Sequence, residues 1–300
     1  MKRFRLRAGR WTCWMLVVLL IFCSIPAQAA KKSSPYIGII GVEGVIEDNY
    51  SNYEYDHAGT LEAIEKMVND EDNRALLLYL NSPGGAIYES DELYNAILSY
   101  KKRTDRPVVA YMAQTATSGA YYVACAADQI YAHRMSITGS IGIIMQIEDY
   151  SELLNKLGIK SHMVVTGPNK AVGGPQQVTD EQLALFQQIA DEGYEIFLDV
   201  VSQGRNKPVE EIRPLADGRI MSAKQALNAG LIDKIADYQA AKDDMLAMDG
   251  LYMCEFIDCT PGTDNAFGGG LLDQLKWLLG MCSGVIQEAA SGSGVRIAFE

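Results

Sequence analysis

The chain has 300 residues, of which 48% are hydrophobic and 21% charged, and its formal net charge is −12. That is ample material for a packed core, without the charge-rich, apolar-poor bias of a disordered chain. The acidic balance argues against a nucleic-acid binder, whose phosphates need a basic surface, and no zinc-ligand spacing or phosphate-binding glycine loop occurs.

Residues 1–29 read as a targeting segment. Lys2, Arg3, Arg5, Arg7 and Arg10 form a basic region ahead of the apolar run from Cys13 to Cys23. Pro26 and Ala27-Gln28-Ala29 then give a small-x-small cleavage pattern. The expectation is export across the cytoplasmic membrane, to the periplasmic or another extracytoplasmic side, with cleavage after Ala29. Residues 11–30 are uncharged and just long enough to span a bilayer, so an uncleaved membrane anchor is the alternative. Phe22 ahead of Cys23 is too large for a lipoprotein site, which excludes lipidation.

The next apolar run, from Tyr36 to Ile46, is strand-like with glycines that suggest a bend. Residues 47–57 are polar and tyrosine-rich and read as a loop. Leu61, Ile64 and Met67 repeat at helical spacing between Gly59 and Asn69. Ala75-Leu76-Leu77-Leu78-Tyr79-Leu80 is continuous and apolar, the pattern of a strand buried on both faces. It ends in Asn81-Ser82-Pro83-Gly84-Gly85. A helix is predicted from Ser90 to Lys101 and a strand from Val108 to Met112. Thr117-Ser118-Gly119 then leads into a small-residue helix around Cys125. Gln129–Ala132 is a short strand, and Thr138–Ile144 reads as a turn into another. Strand and helix alternate about every 30 residues here, the mark of βαβ units and a mainly parallel sheet. Ser151–Leu157 is helical, Lys160–Thr166 extended, and Gly167–Pro175 a glycine and proline loop. A long helix runs from Thr179 to about Gln203, with Leu183, Leu185, Ile189 and Phe197 among its apolar positions. A helix at Ser222–Ala229 ends at Gly230. Beyond about 245 the pattern weakens, with a flexible Gly268-Gly269-Gly270 and a short amphipathic helix at Leu271–Leu279. The boundaries that follow are 1–29 for targeting, 30–245 for the main domain and 246–300 for an extension.

Two glycine-bearing turns, Asn81–Gly85 and Ser118–Gly119, each follow an apolar strand. In a parallel sheet both lie at the carboxyl edge, where ligands bind. Ser118 has two readings, a plain helix cap or a nucleophile displayed at a strand-to-helix turn. In the second, the backbone N–H groups of Gly85 and Gly119 could form an oxyanion hole. A nucleophilic serine needs a base. Of the three histidines, His57 and His162 sit where surface exposure is the default, and His133 follows a short strand with no aspartate placed to orient it. Lys170 is the other possibility. It lies among glycines, prolines and small apolar residues with no acid nearby in sequence, a setting compatible with the burial that a neutral lysine requires. Asp91 and Glu92 begin a helix, where acids favour the dipole, and are not read as a catalytic pair. Of the six cysteines, Cys125 is read as a buried thiol, and Cys254 and Cys259 are close enough to pair.

On Asn81–Gly85, Thr117–Tyr122, Ala126-Ala127-Asp128, Thr138–Gly142, Ala216–Arg219 and Gly230–Asp233, the chain resembles the signal peptide peptidase A (SppA) family of serine proteases, in its short single-copy form. The likeness runs in order through about residues 36–236. It implies a ClpP/crotonase-like α/β fold, a spiral of ββα units with a mainly parallel sheet. It also implies a Ser–Lys endopeptidase that degrades residual signal peptides and other apolar peptides at the membrane. By resemblance the nucleophile maps onto Ser118, the lysine onto Lys170, the residue that helps hold the lysine onto Ser140, and the oxyanion amides onto Gly85 and Gly119. The implied assembly is a homo-oligomer whose dyad is shared between protomers, with no cofactor. The chain departs from the family in two places. Thr117 and Ala120 flank Ser118-Gly119 where Ala-Ser-Gly-Gly is frequent, and Ala171–Pro175 replaces an acid-containing Asp-x-Gly-Ser-Pro. A protease specific for a membrane-protein partner and a non-catalytic scaffold on the same fold are the competing expectations.

Overall fold

The computed structural model describes residues 34–48 and 55–262. The expected targeting segment, the Gly268–Gly270 stretch, the 271–279 helix and Cys282 lie outside the described residues.

The fold is built on an eight-stranded sheet in the order β6-β5-β3-β2-β1-β8, with β4 pairing β3 and β7. Its centre is β1 (Tyr36–Glu43), β2 (Asn73–Ser82) and β3 (Val108–Thr117), all parallel. The apolar run in β2 divides as its alternation dictates. Leu76, Leu78 and Leu80 enter one core and Ala75 and Leu77 the other, and all five are fully buried. Each buried leucine contributes about 1.5–3 kcal/mol.

The larger core lies under three helices. α1 (His57–Asn69) starts at Asp56, whose carboxylate accepts the Gly59 N–H, and it buries Ala63, Ile64 and Met67. α2 (Ile87–Thr104) buries Leu93, Tyr94, Ile97 and Tyr100, and places Lys101, Lys102 and Arg103 at its negative end. α3 (Gly119–Ala124) is wholly buried. Cys125 follows it, also buried, and its burial pushes the thiol up to about 12.

β4 (Gln129–Ala132) pairs the lower half of β3, and β5 (Ile137–Gly139) pairs the upper half at Thr115–Thr117. The strand expected after Ser140 is therefore displaced: it ends at Gly139, and residues 140–144 form none. α4 (Ser151–Lys156) precedes residues 160–166, which are exposed and form no strand, so the expected extended segment has no ladder partner. α5 (Asp180–Arg205) carries a full capping box between Thr179 and Gln182. Its C-terminal half buries Phe197, Leu198, Val200 and Val201, whereas the apolar Leu183, Leu185 and Ile189 are exposed.

α6 (Val209–Ile212), a single 3₁₀ turn at Arg213–Leu215 and β6 (Ile220–Ser222) follow, with β6 antiparallel to β5. α7 (Ala223–Ala229) ends on a left-handed Gly230, and β7 (Lys234–Ile235) joins β4. α8 (Tyr238–Leu246) covers the smaller core with Ala241 and Met245. Past the boundary expected at 245, β8 (Glu255–Asp258) joins the sheet as a parallel neighbour of β1.

Cys254 and Cys259 are free thiols, contrary to the pairing the sequence suggested. They flank β8, and Cys254 faces the smaller core while Cys259 faces the larger one. Among the described residues no helix is long and apolar enough to cross a membrane.

Candidate active site

β3 carries an irregularity that shapes its end. Regular pairing with β2 stops at Leu80↔Met112 and resumes at Ser82↔Ala116, so β3 has extra residues at that step. Asn81 Oδ1 fills the gap by accepting the Thr115 N–H at 3.4 Å. Beyond it, β3 changes neighbour from β4 to β5 and runs into Ser118.

Ser118 sits between β3 and α3 at φ 52° and ψ −123°, a conformation that non-glycine residues rarely adopt. Its side chain makes no capping hydrogen bond, so the plain helix-cap reading fails. Its N–H donates to the Gly139 carbonyl at 2.9 Å, and its carbonyl accepts the Tyr122 N–H at 2.9 Å. Two tyrosines anchor the helix that follows. Buried Tyr121 donates its hydroxyl to the Leu231 carbonyl at 2.9 Å, and Tyr122 donates to Asp91 at 2.5 Å while packing edge-on to Tyr94 and Phe197. A strained serine between a strand and a helix is the arrangement of a nucleophile elbow.

The two expected oxyanion amides lie together. A Cβ on Gly119 would stand 3.3 Å from Gly85 N, and one on Gly84 would stand 2.6 Å from Gly119 N and 2.9 Å from Ser118 Cβ. Neither the Gly85 nor the Gly119 N–H donates to a described backbone or side-chain acceptor. Gly119 must lack a side chain because Ser90 Oγ occupies that space. Gly85 is held from the other side, where the Ile46 N–H donates to Gly84 O at 2.9 Å and the Ala86 N–H to Ile46 O at 2.8 Å.

The pairing of Thr117 with Gly139 sets Ser140 beside Ser118. Ser140 also has positive φ, 53°, and its N–H donates to the Arg219 carbonyl at 2.7 Å. The turn that supplies this carbonyl is tied by the Gly218 N–H to Ile141 O at 3.1 Å and by an Arg219–Asp217 ion pair. The Arg219 guanidinium holds the Asp217 carboxyl down at about 2. In the sequence Ala216–Arg219 carried part of the family resemblance without an assigned role; the structure shows it holding Ser140 through the Arg219 carbonyl.

Lys170 is exposed. Its loop is anchored by Gln182 Nε2, which donates to Pro168 O at 2.8 Å, and by the Gly174 N–H, which donates to Glu148 O at 2.6 Å. The burial with which its sequence setting is compatible is therefore absent within one chain. His57, expected at the surface, is buried: Nδ1 meets the Tyr55 hydroxyl at 3.0 Å and Nε2 meets Glu92 at 2.9 Å. His133 stands at the end of β4, opposite Met112 and below the irregularity of β3, with its Nδ1 accepting the Met135 N–H at 3.2 Å. His162 is exposed, as expected.

Residues 100–251 match peptidase family S49. A provisionally named signal peptide peptidase SppA of Enterococcus faecium is 36% identical over 212 residues, covering 69% of this chain and 61% of that protein. A provisionally named protease of Synechocystis sp. is 31% identical over 240 residues, 73% of this chain and 86% of its own length. Protease 4 of Haemophilus influenzae is 29% identical over 206 residues, 68% of this chain but 33% of that protein.

Proposed function

The chain belongs to peptidase family S49, whose ClpP-like α/β fold it carries, and we propose that it is an exported Ser–Lys endopeptidase of apolar peptides. The single observation that carries this reading is Ser118 at its strained turn beside two amides with no described acceptor, those of Gly85 and Gly119. In the proposed reaction Lys170 Nζ, in its neutral form, takes the proton from Ser118 Oγ as Oγ attacks the peptide carbonyl. The Gly85 and Gly119 N–H groups receive the oxyanion. The C–N bond then breaks, the leaving amine takes the proton from Lys170, and water hydrolyses the acyl-enzyme. Ser140, beside Ser118, orients the lysine.

A lysine base must be desolvated, and Lys170 is exposed in the single chain. We therefore assign the base to a neighbouring copy in a homo-oligomer. Support comes from the apolar side chains exposed around the lysine loop, including Leu157, Ile159, Met163, Val164, Leu183 and Ile189. Substrates are extended apolar segments such as residual signal peptides at the membrane. The name of the Enterococcus relative and the basic–apolar start of this chain favour that class.

Turnover of an apolar peptide and fluorophosphonate labelling test the dyad. Ser118→Ala and Lys170→Ala are each expected to lower kcat at least ~10³-fold. Mixing the two inactive variants restores activity if the site is shared. Activity that survives both substitutions sinks the proposal.

A further inference from the structure

The turn that carries Gly85 is fastened to the end of β3 by side chains rather than by the sheet ladder. Beyond the Ser82↔Ala116 pair, no backbone hydrogen bond joins residues 83–86 to Thr117, Ser118 or Gly119. Two buried hydroxyls are involved, one shaping the turn from within and the other tying it to β3. Ser82 Oγ accepts the Gly84 N–H at 3.1 Å, holding the chain in the tight turn that puts Gly84 at φ 98°. Thr117 Oγ1 donates across to the Pro83 carbonyl at 3.0 Å. The fit leaves no slack, since a Cβ on Gly84 would lie 2.8 Å from Thr117 O and 2.6 Å from Gly119 N.

We infer that Thr117 is a positioning residue for the oxyanion site. With Ser82, it sets the spacing between the Gly85 and Gly119 N–H groups. The inference rests on the reading of those amides as an oxyanion hole. An alanine at this position could not make the bond to Pro83. A tetrahedral oxyanion needs both donors at hydrogen-bonding distance, while a ground-state carbonyl is less demanding. Loosening the turn therefore acts on the chemical step and on tetrahedral adducts, and spares substrate binding.

Thr117→Val keeps the shape and removes the hydroxyl. The expected result is a kcat about tenfold lower, part of the loss from deleting a whole oxyanion donor, with KM within about twofold of wild type. The affinity of a peptide boronate, which forms a tetrahedral adduct on Ser118, falls by a similar factor. Thr117→Ser, which retains the hydroxyl, restores both. Ser82→Ala loosens the same turn from its other end, shows the same split, and carries the test if Thr117→Val does not fold. A folded Thr117→Val or Ser82→Ala protein with wild-type kcat and boronate affinity overturns the inference, as does an equal loss in Thr117→Ser. A wild-type protein without Ser118-dependent turnover would instead bring down the protease reading beneath it.

Discussion

Ser118 pays a conformational cost of about 1–3 kcal/mol for its positive φ, and it persists because its surroundings over-determine it. Gly139 takes its N–H, Tyr122 donates to its carbonyl, and the Gly84 turn closes over its Cβ. Gly84 is the most sensitive of these neighbours, because its φ of 98° and its contacts with backbone atoms both exclude a methyl group. Gly84→Ala is expected to lower stability by about 1–3 kcal/mol and to abolish turnover. Denaturant unfolding together with peptide hydrolysis checks this, and a stable, active variant would contradict it. At this scale the sequence showed residue types but not their torsions. Thr117-Ser118-Gly119 taken alone reads more readily as a cap than as an elbow, and only the backbone torsions and the missing capping bond separate the two. His57 was misplaced for a related reason. Its polar neighbours suggested a loop, but Asp56 caps a helix there and turns the imidazole toward Tyr55 and Glu92.

Among the elements, those with strong periodicity were legible and those defined by a distant partner were not. The apolar run of β2 declared a strand buried on both faces, and the start of α5 was legible at Thr179, ahead of the acids Asp180 and Glu181 in its first turn. β8 is four residues long and exists because β1 offers it an edge, which local composition cannot announce. β5 was displaced because Gly139 and Ser140 both take positive φ and end the strand early. Gln182 links two elements: its side chain accepts the Thr179 N–H at 3.2 Å and donates to Pro168 O at 2.8 Å, so one residue caps α5 and anchors the Lys170 loop. Gln182→Leu is expected to cost about 1 kcal/mol of stability. It should also lower kcat severalfold, because the lysine loop loses its tether. Thermal unfolding and kinetics on the same preparation separate the two effects, and unchanged kcat would show that the tether does not matter.

At the scale of the whole molecule, one chain presents the serine, the two amides and Ser140 on one edge, and the lysine on an exposed loop flanked in sequence by exposed apolar residues. Val164 is fully exposed and Ile189 is 55% exposed on α5, an arrangement that a neighbouring copy would cover. Ile189→Glu is expected to shift the protein toward single chains in gel filtration and to reduce turnover in parallel, since burying a charge in an apolar contact is costly. Full activity in a strictly monomeric variant would contradict a shared site.

The sequence by itself determined the α/β class, the two glycine turns at the carboxyl edge and the candidate residues. Those signals are local: apolar alternation, turn residues and short motifs within one segment. Only the tertiary structure decided how the segments meet. It brought the Gly85 and Gly119 amides together, set Ser140 beside Ser118, separated Cys254 from Cys259 across the sheet, and left Lys170 in the open. Each of these depends on register and on which face of a strand a side chain takes, and a shift of one residue reverses the face. The setting of Ser118 therefore depends on the irregularity of β3 near Asn81 and on the Gly84 turn that closes against its end, two facts that no single stretch of the chain contains.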